Sequence, residues 1–245
     1  MTYPRRRAAG QIASLLVAVG LGAVTVAACG NSEQPKPTGS SSAGAQPPPS
    51  SSASPAPAAK YDISRVENVK NDFPPGFKPD PRPEQTLSQQ DISSSGVIPF
   101  TQAKFDPPQC RALLIPPYAD PSVGTQAAGV SGEGDQGQIF VIAMQLPAPI
   151  PASQPPAGCD RVSLSGAPEA TGTAEPIPAP KIDGVTTTGA KLTPADKADE
   201  PDYVFTAELG NQTSVVVMGS ADEQLNPQQL LSDLLVKATA AVRGQ

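Results

Sequence analysis

From residue 12 to residue 28 the chain is an apolar run of Leu, Val, Ile and Ala broken only by Ser14, Thr25 and glycines. Residues 30–60 then lack large apolar side chains, and apolar periodicity returns only at Tyr61. There Asp62 can cap a short helix with Ile63, Val66 and Val69 on one face, stopped by Asp72-Phe73-Pro74-Pro75-Gly76-Phe77. Residues 78–90 are polar and proline-rich and read as a connection. Asp106-Pro107-Pro108 supplies an N-cap and first-turn prolines for a second helix, carrying Cys110, Ala112 and Leu113 and ending at Pro116-Pro117. Strands follow: a weak one over 123–130 and a strong one over 138–146. The run Ile139, Phe140, Val141, Ile142, Ala143, Met144 is continuous enough to be covered on both faces and central in a sheet. Shorter strands are predicted over 161–165, 170–177 and 185–192. Residues 203–209 and 213–218 alternate about Gly210-Asn211 as a tight hairpin. The final helix is the clearest: Asn226 at the cap, Pro227 at the first position, and a stripe of Leu230, Leu231, Leu234, Leu235, Ala238 and Val242. These elements predict an α+β fold, a mostly antiparallel sheet with flanking helices and the C-terminal helix packed on the sheet.

The N-terminal run has the plan of a secretory signal: Arg5-Arg6-Arg7, an apolar stretch, then small residues. Val26-Ala27-Ala28-Cys29 resembles the bacterial lipobox, in which a small pair precedes the cysteine that receives diacylglycerol. The expected organisation is a lipoprotein signal peptide over 1–28, a lipidated tether over 29–60 and a folded domain over 61–245, with Cys29 as the lipidation site. An uncleaved membrane anchor is the alternative, although about 17 residues are marginal for spanning. The Ser/Pro/Ala-rich tether cannot bury enough surface to offset its ordering entropy. Its reach lies between roughly 30 Å as a coil and nearly 100 Å as polyproline. Spacer and glycosylated stalk both suit its composition.

Charge and composition narrow the partners. Losing the three arginines takes the formal charge from −6 to −9, so nucleic acid is not expected, since binding it rests on basic patches. Direct electrostatic attachment to anionic lipid is equally disfavoured, leaving the acyl chain on Cys29 as the membrane contact. Histidine is absent, which removes the commonest general base near neutral pH and the commonest metal ligand. With Cys29 acylated, Cys110 and Cys159 form an even pair in an oxidising compartment, where a disulfide is the default and a redox or metal site the exception.

The remaining clusters carry little chemistry. Asp196, Asp199, Glu200 and Asp202 could supply oxygen ligands to calcium, but their spacing matches no EF-hand loop, and a solvated acidic loop explains them. Residues 130–137 are glycine-rich without the lysine or spacing of a phosphate loop, and suit a hairpin. No Gly-x-Ser-x-Gly elbow occurs, so no catalytic residues, metal or cofactor are assigned.

Residues Asp72 to Phe77, the Pro108-Gln109-Cys110 helix start, Gly158-Cys159, and the Tyr203 hairpin leading into the Leu231 helix resemble a group of actinobacterial, chiefly mycobacterial, lipoproteins of unknown function. These share a plan with the extracytoplasmic sensor domain of PknH-type kinases. The resemblance implies an antiparallel sheet with flanking helices, an open cleft, and a role in sensing or binding a ligand at the envelope. Those sensors have two disulfides, whereas this chain can form one, and it carries none of the kinase signatures. The expected function is therefore a non-enzymatic, surface-tethered module on the extracytoplasmic face that binds an unknown envelope component, a lipid or glycan. A lipoprotein scaffold for protein partners is the alternative, and a histidine-free hydrolase ranks last.

Overall fold

The described residues begin where apolar periodicity returns. The computed structural model describes residues 61–93, 99–151, 157–166 and 171–245, so the signal segment, the tether and Cys29 lie outside the described residues. The Asp62 carboxylate accepts from the Ser64 backbone N–H at 3.2 Å and caps a 3-10 helix, Ile63–Asp72. Ile63, Val66 and Val69 are buried from one face of it, at the three-residue spacing that eclipses side chains in this helix type.

Nine strands form one wholly antiparallel sheet: β1 (Phe77–Thr86), β2 (Lys104–Asp106), β3 (Gln126–Gly134), β4 (Gly137–Gln145), β5 (Val162–Ser165), β6 (Gly172–Pro176), β7 (Thr186–Pro194), β8 (Asp202–Leu209) and β9 (Thr213–Ala221). Their order is β1-β3-β4-β9-β8-β7-β6-β5-β2. A short helix α1 (Gln89–Ser93) follows β1, and α2 (Pro227–Arg243) closes the chain. The predicted β4 is internal and covered on both sides: Ile139, Val141 and Ala143 enter one core, Met144 and the half-buried Phe140 and Ile142 the other.

The first core lies under α2 and the 3-10 helix Ile63–Asp72, where Leu231, Leu234, Leu235, Ala238 and Val242 meet Phe205, Ala207, Val215 and Val217. The ends of the domain are tied here, because the Asp62 N–H donates to the Val242 carbonyl at 3.1 Å. Across the sheet the second core is covered by residues 87–93 and 99–119, with no long helix among these described residues, and includes Leu87, Phe105, Cys110, Leu114, Ile115 and Tyr118. The glycines predicted to make a hairpin between β3 and β4 do so around a two-residue turn, and Gly132 leaves room for the Phe73 ring, 2.3 Å from where its Cβ would stand.

Four local expectations are corrected. Residues 77–86 form an edge strand rather than a connection; Pro79, Pro81 and Pro83 are tolerated at the edge, where a missing N–H need not leave an inner ladder unpaired. The helix expected from Asp106 is a 3-10 helix, Pro108–Leu113, preceded by Pro107 with no side-chain cap, because Asp106 is the last residue of β2 and pairs with Ser163. Asn226 stands before α2 but makes no capping side-chain bond; its left-handed φ of 50° turns the chain out of a 3-10 turn (Glu223–Leu225), and asparagine tolerates that region better than most residues. The β8–β9 loop has three residues rather than two, with Leu209 opposite Thr213 and Gly210 at φ 72°.

Candidate functional site

Cys110 and Cys159 are joined, with Cα atoms 5.4 Å apart across 49 residues of sequence. The bridge ties the Pro108–Leu113 turn to the chain just before β5, and it joins the two cysteines that remain when Cys29 is set aside, as predicted. Both walls of one cleft lie inside that closed loop, apart from Gln109 next to Cys110, so the staple is part of that cleft's frame and not remote from it.

The cleft, of about 440 Å³, opens between the turn after Cys110 and the chain leaving β4. Ile115, Pro117, Leu146, Pro147, Ala148 and Ile150 give it mostly apolar walls, and none of the described lining residues is aromatic. Pro116 is extended and Pro117 opens a 3-10 turn on one wall, and Pro147 restricts the backbone of the other. The far wall is held to the β8–β9 loop: the Leu146 N–H donates to the Gln212 carbonyl at 2.8 Å, the Ile150 N–H to the Asn211 carbonyl at 2.7 Å, and the Gln212 amide to the Leu146 carbonyl at 2.6 Å. Across from it, Arg111 donates to both oxygens of Asp120, Nη1 to Oδ2 at 2.6 Å and Nη2 to Oδ1 at 3.0 Å. Their side chains are 34% and 39% exposed, so the fork is reachable from the cleft. Sequence reasoning missed this pair, since nine residues and two prolines separate its members.

A chain of hydroxyls anchors the near wall to the sheet. Tyr118, in the short 3-10 turn Pro117–Ala119, shares a 2.9 Å hydrogen bond with Thr206, which shares one of 2.6 Å with Thr188. Burial pushes the Tyr118 phenol up, against the lowering by those threonines. Next along the same face of the ladder stands Glu208, opposite Thr186 on β7 and Ser214 on β9. Burial raises its pKa, and a hydrogen bond with Thr186 works the other way. The folded state therefore binds a proton that the unfolded state has already released, so stability is lost as pH rises from the unfolded value toward the folded one. Glu208→Gln is expected to raise the melting temperature at pH 7 and to leave it unchanged below about pH 4, where both states carry the proton; thermal melts of both proteins at the two pH values check this.

The acidic loop resolves into ordinary turn chemistry. With residues 222–224 the loop lines a second cleft, of about 570 Å³, where Asp196 accepts from the Ala198 N–H at 2.9 Å and Asp222 from the Gln224 N–H at 2.9 Å, so two of its carboxylates serve their own backbone. Among the described residues no three His, Cys, Asp or Glu side chains are placed to hold a metal. No described helix is long and apolar enough to cross a membrane.

Residues 62–243 match the family model described as a domain of unknown function, DUF5642. The chain belongs to this family. Among solved structures, the DUF5642 domain is similar to an uncharacterised protein of Mycobacterium smegmatis, the Rv0999 ortholog. The match has 21% identity and a TM-score of 0.52, spanning 76% of this chain and 100% of that one, and it shows a shared fold. The extracellular domain of PknH from Mycobacterium tuberculosis also matches, at 10% identity and a TM-score of 0.37, over 76% of this chain and 98% of that one. No curated protein matches the chain.

Proposed function

We propose that this DUF5642 domain is a binding module that takes an apolar chain of an envelope lipid into the cleft beside the disulfide, and that it does so as a lipoprotein held on the outer face of the membrane through Cys29. The observation that carries this reading is the wall of Ile115, Leu146, Pro147, Ala148 and Ile150, concave, apolar and braced on both sides. Its volume falls within the about 300–1,000 Å³ usual for small-molecule sites. A glycan is the weaker candidate, because the cleft offers no aromatic ring for a sugar face. A scaffold using a flat apolar patch is also less well supported, since Val123 and Val236 are the exposed large apolar side chains among the described residues, and scattered ones are ordinary. The Cys110–Cys159 bridge supports an oxidising compartment, in keeping with the signal-like segment before Cys29. The reading is non-enzymatic: it uses binding residues and no acid–base set.

Ala148 is exposed and Ile150 half-buried, so aspartate at either position places a charge on the cleft wall at little cost to the fold. Residues 61–245, incubated with extracted bacterial membrane lipid and repurified, are expected to carry lipid in native mass spectrometry and to melt higher. Ala148→Asp and Ile150→Asp should lose both effects while keeping the unliganded melting temperature. Equal lipid retention by all three proteins would place the ligand elsewhere, and capture of protein partners without lipid would favour the scaffold.

A further inference from the structure

The apolar walls say what holds a chain; the fork at the rim bears on what the chain carries. Among the described residues lining the cleft, Arg111 is the one cation and Asp120 the one acid. A guanidinium presents five donors, and the two taken by Asp120 leave three unspent. Bidentate pairing of this kind matches a carboxylate or a phosphate equally well. The pair is only about two-thirds buried, in an exposure range where ion pairs add little stability. It is also not needed to hold its segment in place. The turns around it are closed by backbone bonds, Ile115 N–H to the Arg111 carbonyl at 3.0 Å and Ala119 N–H to the Pro116 carbonyl at 2.8 Å. They are tied down further by the disulfide and the Tyr118 hydroxyl.

We propose that Arg111 is the head-group reader of the cleft and that Asp120 is a built-in competitor, occupying the fork until the carboxylate or phosphate of an amphiphile displaces it. This rests on the reading of the cleft as a site for an apolar chain. In the empty protein the Asp120 carboxylate keeps the guanidinium oriented and neutralised; in the complex a ligand anion takes its two hydrogen bonds while the tail lies along Leu146, Ala148 and Ile150. The selected class is then an anionic single-chain amphiphile, and a neutral one of the same length binds by its tail alone.

The test uses residues 61–245, which hold both cores and the whole of the family match, titrated calorimetrically with decanoate, decyl phosphate and decanol below their micellar concentrations. Wild type, Asp120→Asn and Arg111→Gln are compared, each first shown to melt as wild type. Asp120→Asn should bind the anions about tenfold more tightly, the scale of one charge-assisted hydrogen bond, and decanol no differently. Arg111→Gln should lose the preference for anions and keep decanol. The anion that gains more identifies the head group, carboxylate or phosphate. If decanol and both anions bind alike and neither substitution separates them, the head-group reading is overturned while the cleft reading stands. If none of the three binds any of the proteins, the cleft reading itself fails and takes this one with it.

Discussion

Replacing Cys110 and Cys159 by alanine is expected to cost up to about 4 kcal/mol, the chain-entropy value for a loop of this length. For a domain of this size that is a fall of roughly 8–16 °C in melting temperature. The bridge closes 49 residues of sequence. Inside that loop lie the β3–β4 hairpin, which is paired with β1 and β9, and the cleft walls, which are joined to the sheet by side-chain and loop contacts such as Tyr118–Thr206 and Ile150–Asn211. The second core, which covers the side of the sheet without α2, holds Cys110 at 0% exposure, so opening the bridge also loosens its roof. Thermal melts with and without reductant, alongside the double variant, measure the effect. The reduced wild type should melt with the double variant, and a variant within 2 °C of oxidised wild type would contradict the role given to the bridge.

Phe205→Ala is the second large effect, expected to destabilise by about 3–5 kcal/mol. Phe205 is fully buried on β8, the middle strand of the nine, and enters the core beneath α2. Its ring lies over Gly189, its partner on β7, where an added Cβ would stand 2.9 Å from the ring edge. The glycine leaves no side chain to fill the space once the ring is gone, so the cavity cannot collapse easily. Urea unfolding followed by circular dichroism reads the loss directly; a change under 1 kcal/mol would mean that the core repacks around the site.

Legibility followed the strength of local signals. The β8–β9 hairpin and α2 could be read because Tyr203, Phe205, Ala207 and Leu209 alternate at the strand period and Leu231, Leu234, Leu235, Ala238 and Val242 repeat at the helix period. β1 could not, since it is exposed along nearly its whole length and carries three prolines, so neither alternation nor strand propensity survives in it; only its place at the sheet edge explains it. The loop residues that cover the second core were equally silent, because Leu114, Ile115 and Tyr118 are buried by tertiary packing without any period of their own.

The candidate site was half legible for the same reason. The two cysteines left when Cys29 is set aside are a compositional signal, and it led to Cys110 and Cys159. The Arg111–Asp120 fork and the Tyr118–Thr206–Thr188 chain depend on loops meeting strands far away in sequence; Tyr118 and Thr206 are 88 residues apart. No spacing rule announces such pairs. The apolar wall after β4 was visible only as a run of prolines crossing the surface, and it becomes a wall through its bonds to Asn211 and Gln212.

The most direct test of the account is a map of where an apolar chain binds. With Ala and Ile methyl groups labelled, titration of residues 61–245 with decanol should shift the resonances of Ala112, Ile115, Ala148 and Ile150, which line the cleft. Ile63, under α2, and Ala198, in the acidic loop, should stay still. Shifts confined to Ile63 or Ala198, or a cleft that stays silent at saturation, would contradict the claim that this cleft is where the domain binds its ligand.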